Sequence, residues 1–343
     1  MLLLSTVVGC ASLRWYGQAV GGQLDLLSRR EHIAELLADP TTDPLLASQL
    51  TQVLAIRQFA VAELALPTSR SYRHYADLER SAAVWNVIAA PRYSVAPVTW
   101  CYPIAGCVAY RGYFDQQDAI VEARKLSDEG LDTIVSPAIA YSTLGWFDDP
   151  VLNTMLAWSE TELAAFLFHE LAHEAVYVAG DTAFNEAYAS VVERVGVERW
   201  LRATSEDNSE KDELEAWRQR QEIRTDWTQL MLTARADLQQ GYAATTDQQA
   251  LATFKVERFG QLQHELAALA DQHLAPGLRR WSEQSLNNAN LALIATYGLG
   301  VEAFDAVLLR CQQNMACFHA EVRELARASS QVRSDFLAQN DTQ

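Results

Sequence analysis

The sequence predicts an α+β fold in which helix predominates: a small sheet precedes one apolar helix, and a long helical region follows. Three observations carry this. Apolar residues recur at intervals of three and four across 12–65, and again through most of 201–330. Between them, 81–90 and 93–109 are rich in Val, Trp, Tyr and Pro and read as strands with loops. The stretch 163–179 is apolar nearly all round and holds His169-Glu170-Leu171-Ala172-His173.

Taken in order, the first ten residues, MLLLSTVVGC, form a short apolar stretch. Val7-Val8-Gly9-Cys10 resembles a bacterial lipobox, although no Lys or Arg precedes it. Cys10 is therefore the expected lipidation site, 1–10 a signal remnant, and the location the periplasmic side of a membrane, touched only through that anchor. A cytosolic chain with a stray cysteine is the alternative. No apolar run reaches the roughly 18 residues that a spanning helix needs. With 44 acidic against 27 basic residues the net charge is -17. That balance argues against nucleic acid and against electrostatic adhesion to anionic lipid.

Helices are expected over 12–65, interrupted by the turn-rich Asp-Pro-Thr-Thr-Asp-Pro at 39–44, and over 116–130. Strands are expected at 133–135 and 139–146. Beyond Trp200, long helices read at about 208–239 and 246–273, with Pro276-Gly277 breaking the second. The stretch 286–309 contains LNNANLALIATYGLG, a further helix ending at a glycine-bearing turn, and 331–343 reads as a frayed tail. The expected organisation is a catalytic region over 11–200 and a helical region over 201–330 packing on its cleft.

Five cysteines are present; Cys10 aside, Cys101, Cys107, Cys311 and Cys317 form two C-x5-C pairs. An even number in local pairs reads as two disulfides in an oxidising compartment. Pairing within each motif and pairing between them both satisfy the sequence. A helical 311–317 would need a break to close its own bridge.

The chemistry centres on 163–190. Residues i and i+4 share one helix face, so His169 and His173 can grip one ion, and Glu170 can serve a bound water as general base. Catalytic zinc normally takes three protein ligands. Gly180 suits the end of the first helix and Asp181 or Thr182 the start of a second. His173 and Glu186 then lie about 10 Å from the turn, at about 1.5 Å per residue, and face each other. Glu186 is the expected third ligand, for one zinc per chain.

A small sheet followed by such a helix is the arrangement of zincin metallopeptidases. His169–His173 with Asn185-Glu186-Ala187 resembles the gluzincins in particular. Five stretches resemble a bacterial family described as putative aminopeptidases, often lipoproteins: WCYPIAGCVAYRGYF (100–114), AYSTLGWFDDP (140–150), HELAH (169–173), FNEAYAS (184–190) and LNNANLALIATY (286–297). The resemblance implies a zincin-like fold and hydrolysis of peptides. It implies His169, His173 and Glu186 as ligands and Glu170 as base. Gluzincins often place an Asp four residues past the ligand Glu to hold a histidine; here that residue is Ser190, which directs attention to Glu193 instead. Zincins lay substrate along a sheet edge above the metal, so Ala140, Tyr141, Ser142 and Thr143 are the expected substrate contacts. Tyr297 is the implied oxyanion donor, with Tyr141 and Tyr110 as rivals. No G-x-M-E-N is present to anchor a free α-ammonium; Asp148, Asp149 and Glu174 are the available acids. A lipid-anchored envelope protein that uses the zinc site structurally, or binds peptides without cleaving them, is the alternative function.

Overall fold

The structure, a computed structural model, describes residues 5–102, 106–140, 148–204, 209–294 and 300–338. The chain runs α1 (Ser5–Ser28), β1 (Glu31–His32), α2 (Ile33–Ala38), α3 (Pro44–Glu63), β2 (His74–Ala76), β3 (Val84–Pro91), β4 (Trp100–Tyr102), β5 (Gly106–Val108), β6 (Arg111–Tyr113), α4 (Gln116–Asp128), β7 (Leu131–Ala138) and β8 (Val151–Leu152). Helices follow: α5 (Glu160–Ala175), α6 (Thr182–Thr204), α7 (Ser209–Ala243), α8 (Gln248–Gln272), α9 (Pro276–Ser282), α10 (Asn288–Leu291), α11 (Val301–Arg310), α12 (Met315–Arg327) and α13 (Ser330–Ala338). The fold is α+β and predominantly helical, as expected. Two compact units interleave in sequence: 1–24, 82–138 and 219–295 form one, and 25–81, 139–218 and 296–343 the other. Each unit therefore draws on segments from both sides of residue 200.

In the first unit, β3 is the centre of an antiparallel sheet ordered β6-β3-β7. Its side chains alternate between two covered faces. Trp85, Val87 and Ala89 meet Ala119, Ala123 and Leu126 of α4, while Ile88 and Ala90 meet Ala289 and Ala292. Of the strand expected at 139–146, residues 139 and 140 belong to no strand and the rest lies outside the described residues. The short strand expected at 133–135 is longer, β7, paired with β3 along its whole length. Pro137 sits within it because β7 is an edge, where a missing N–H costs no ladder bond. Met231, Ala234 and Leu238 of α7 pack with Phe259, Leu262 and Leu266 of α8 in a separate apolar cluster.

Of the helix expected to end at the glycine-bearing turn, the described part forms α10, four residues at 288–291; 295–299 lie outside the described residues, and α11 is begun by Gly300 at φ +83°. Asparagines at the start of α10 bind strand ends. The fully buried Asn288 donates its amide to the Pro91 and Arg92 carbonyls, at 3.1 and 2.9 Å, and accepts from the Tyr242 hydroxyl. Its backbone N–H donates to Asp132, which also pairs with Lys255. Asn287 donates to the Thr133 carbonyl. Tyr297 lies outside the described residues.

In the second unit, a mixed sheet ordered β1-β2-β8 accompanies a helical core. By length and composition α3 is the one described helix able to cross a membrane. Within the unit it buries Leu50, Val53, Ile56 and Ala60, and Phe59 packs on Phe168 of α5. Arg57 on the same helix donates to the Ser69 and Ser71 carbonyls. The tail expected at 331–343 is corrected over its described part: α13 is a docked helix. Arg333 is buried and paired with Asp181, and Phe336 packs on Phe304.

Both disulfides are local. Cys101 and Cys107 face each other across β4 and β5. Cys311 caps α11 and Cys317 lies in the first turn of α12, and the intervening Gln312 and Gln313 take positive φ, which supplies the helix break the bridge requires.

Candidate metal centre

The α5 helix starts with a capping box, in which the Ser159 and Glu162 side chains each accept from the other's backbone N–H. Its inward face, Leu163, Leu167 and Phe168, is buried against the helical core. Gly196 of α6 lets the two helices approach closely, since a Cβ there would stand 2.5 Å from the Phe168 ring and 2.8 Å from Leu64. This close pairing brings Glu186 onto the histidines. Glu186 Oε2 lies 3.3 Å from His169 Nε2, and Oε1 lies 3.6 Å from His173 Nε2. The two Nε2 atoms are 3.1 Å apart. All three ligand atoms lie within 4.8 Å of one another.

The connection between the helices differs from the expected one. Rather than running to 179 with Gly180 as its end, α5 stops at Ala175, and Val176 is already extended. The Asn185 side chain accepts from the Val178 N–H at 2.8 Å and donates to the Val178 carbonyl at 2.9 Å. These bonds satisfy loop backbone that a longer helix would have used, so Asn185 ends α5 early. Gly180 takes φ +79° in the turn into α6. Because the loop shortens α5 alone, His173 and Glu186 still meet.

The electrostatics suit a cation. Burial opposes charge on His169, but hydrogen bonds to Glu186 and Glu193 outweigh it and push its pKa up. His173 is pushed down to about 4, by burial first and then by the charge on His169. A divalent ion would satisfy the lone pairs that converge here. His173 Nδ1 is buried without a partner among the described residues. Two imidazole nitrogens and one carboxylate oxygen are the donor types zinc takes at an open site.

Residues 14–337 match the family described as "Putative aminopeptidase". The chain belongs to this family. No curated protein and no solved structure matches it. An aminopeptidase family name implies a peptidase, and the site has to be read in that light.

In this family member the residues named from sequence fall as follows. Glu170, half-buried, follows the first histidine on α5. Ser190 is half-buried on α6, but the group on His169 is Glu193, whose Oε2 lies 3.0 Å from Nδ1. Ala140 is described and belongs to no strand; Tyr141, Ser142 and Thr143 lie outside the described residues. Before Ala140, the Ile139 carbonyl accepts from Thr154. Tyr110 belongs to the other compact unit. Asp148 pairs with Arg70 at 3.1 Å and Asp149 is buried. The helix α1 passes through Cys10, whose side chain lies outside the described residues.

Sequence reasoning missed Tyr177. It stands in the loop after α5, 48% exposed, with its ring edge-on to His173 at 6.2 Å between centroids. Its place four residues past His173 was the available signal.

Proposed function

We propose that the protein is a zinc-dependent peptidase, with His169, His173 and Glu186 holding one Zn²⁺ per chain and Glu170 as general base. The observation that carries this is the convergence of those three ligand atoms within 4.8 Å on two helices, with Glu170 next to the first ligand. The family name supports a peptidase, and an exopeptidase acting at free N-termini is the form it suggests.

Zinc, when bound, supplies Lewis acidity that polarises the scissile carbonyl and acidifies the attacking water. Glu170 accepts the proton from that water as its oxygen joins the carbonyl carbon. It then donates the proton to the amide nitrogen as the C–N bond breaks, releasing a carboxylate and an amine. Glu193 accepts from the Nδ1–H of His169, which presents Nε2 to the metal and makes it a stronger donor.

The two local disulfides support an oxidising compartment, and with the lipobox-like stretch they support a periplasmic protein anchored through Cys10.

A mixed-peptide digest read by mass spectrometry, comparing wild type with Glu170→Gln, tests the activity. Cleavage should fall by about 10²–10⁴-fold in the variant with zinc retained. Removal of single N-terminal residues identifies the exopeptidase form. Equal cleavage by both proteins would remove the assignment.

A further inference from the structure

We propose that His32 and His74 form a second metal site, which takes one divalent transition-metal ion through two imidazole nitrogens and keeps water in its other positions. The proposal is independent of the peptidase reading. Neither residue belongs to the ligand group of His169, His173 and Glu186.

The pair is built by the mixed sheet of the second unit. Strands β1 and β2 are antiparallel, with His32 directly opposite His74. The Ile33 N–H donates to the Arg73 carbonyl at 3.0 Å, which makes 33 and 73 a hydrogen-bonded pair. Bonded and non-bonded pairs alternate along an antiparallel ladder. His32 and His74 are therefore a non-bonded pair, the kind that brings side chains closest. Their ring centroids are 4.1 Å apart. That is closer than the 4.8 Å between His169 and His173, whose Nε2 atoms already stand 3.1 Å apart. Both strands are anchored: Ile33 and Ala76 are fully buried, and β2 pairs with β8 on its other side. The two rings thus need little further ordering to hold an ion.

The donors suit a metal. His74 Nδ1 is buried without a partner among the described residues. A buried nitrogen with no hydrogen bond is rare, and an ion between the two rings supplies a partner. His273 and His319, by contrast, commit their rings to Asp226 and to Leu64 and Tyr188. His32 is exposed, which gives an ion entry from solvent. Burial pushes the His74 pKa down, His32 and Arg30 add to this, and Asp148 and Glu35 oppose it. The neutral ring is the form that offers a lone pair to a metal. Arg30 donates to the Asp148 carbonyl at 2.9 Å, and the Asp148 and Glu35 carboxylates offset its charge. Imidazole suits Zn²⁺, Cu²⁺ and Ni²⁺ rather than Mg²⁺ or Ca²⁺.

The test titrates Zn²⁺ into the metal-free full chain by calorimetry. Wild type should take two ions, the weaker at His32 and His74 because that site has two protein ligands instead of three. His32→Phe keeps a ring in the stack but no nitrogen. It should raise the dissociation constant of the weaker ion by about 10²-fold or more, since the second ligand no longer acts at high effective concentration. The tighter ion should remain in His32→Phe and be lost in His173→Ala, where the weaker ion stays. Urea midpoints without metal should match in wild type and His32→Phe. At Zn²⁺ concentrations above the weaker dissociation constant, only the wild-type midpoint should rise further. Equal weak binding in wild type and His32→Phe would overturn the proposal, as would a wild type that takes a single ion lost in His173→Ala. A single ion lost in His32→Phe but kept in His173→Ala would sustain it, and would instead remove the zinc reading of His169, His173 and Glu186.

Discussion

Glu193 Oε2 lies 3.0 Å from Nδ1 of His169. Glu193 is seven residues beyond Glu186 on α6, two helical turns along the same face. One helix thus supplies a carboxylate to each side of the same imidazole: Glu186 at Nε2 and Glu193 at Nδ1. The arrangement fixes the ring plane and tautomer of His169, and it gives α6 two separate ways to fail.

Those two ways should differ in size. Glu186→Ala removes a ligand and should abolish stable zinc binding, as should His173→Ala. Glu193→Ala leaves all three ligands and should weaken zinc affinity by about 10–100-fold, the usual cost of losing a partner behind a ligand histidine. Ser190→Ala should leave affinity unchanged. Chelator-competition titrations on the four variants check the order; equal affinity in wild type and Glu193→Ala would show that the contact does not tune the metal.

Gly196→Ala should destabilise the protein through the helix pair that carries the site. The added methyl would stand 2.5 Å from the Phe168 ring and 2.8 Å from Leu64, so α5 and α6 must part. Overpacking of this kind costs about 1–3 kcal/mol. Denaturant midpoints measure it, and zinc affinity should fall alongside because Glu186 moves with α6.

His319 should make the fold acid-sensitive. It is fully paired in the neutral form: Nε2–H donates to the Leu64 carbonyl, and Nδ1 accepts from the Tyr188 hydroxyl. Burial pushes its pKa below 6.5, the Leu64 bond opposes that, and Arg323 adds to it. The unfolded state therefore binds the proton more readily than the fold does. This contribution to stability is whole above the unfolded pKa near 6.5 and declines as pH falls through it towards the folded value. His319→Gln should flatten the loss between pH 7.5 and 5, by at most about 1.4 kcal/mol per pH unit. Urea midpoints of both proteins at the two pH values, with metal removed, test this. A wild-type pH dependence that survives the substitution would place the sensitive group elsewhere.

The sequence by itself determined what depends on spacing along one element. His169 and His173 share a face because a helix repeats every 3.6 residues, and β3 alternates its side chains because a strand repeats every two. The predominance of helix, the place of the sheet before α5 and the position of Glu186 opposite the histidines were legible for the same reason. Tertiary structure decided whatever depends on two elements meeting. The seven-residue spacing puts Glu193 on the face of Glu186, but its contact with Nδ1 of His169 depends on how closely Gly196 lets α6 approach α5. Local closure of both disulfides needed positive-φ residues in one case and strand register in the other. The early end of α5 came from Asn185 reaching back to Val178, and the anchoring of α10 from Asn287 and Asn288 binding strand ends distant in the chain. Side-chain amides outcompete helical backbone bonds only where another segment brings backbone groups within reach, and local periodicity does not encode that proximity.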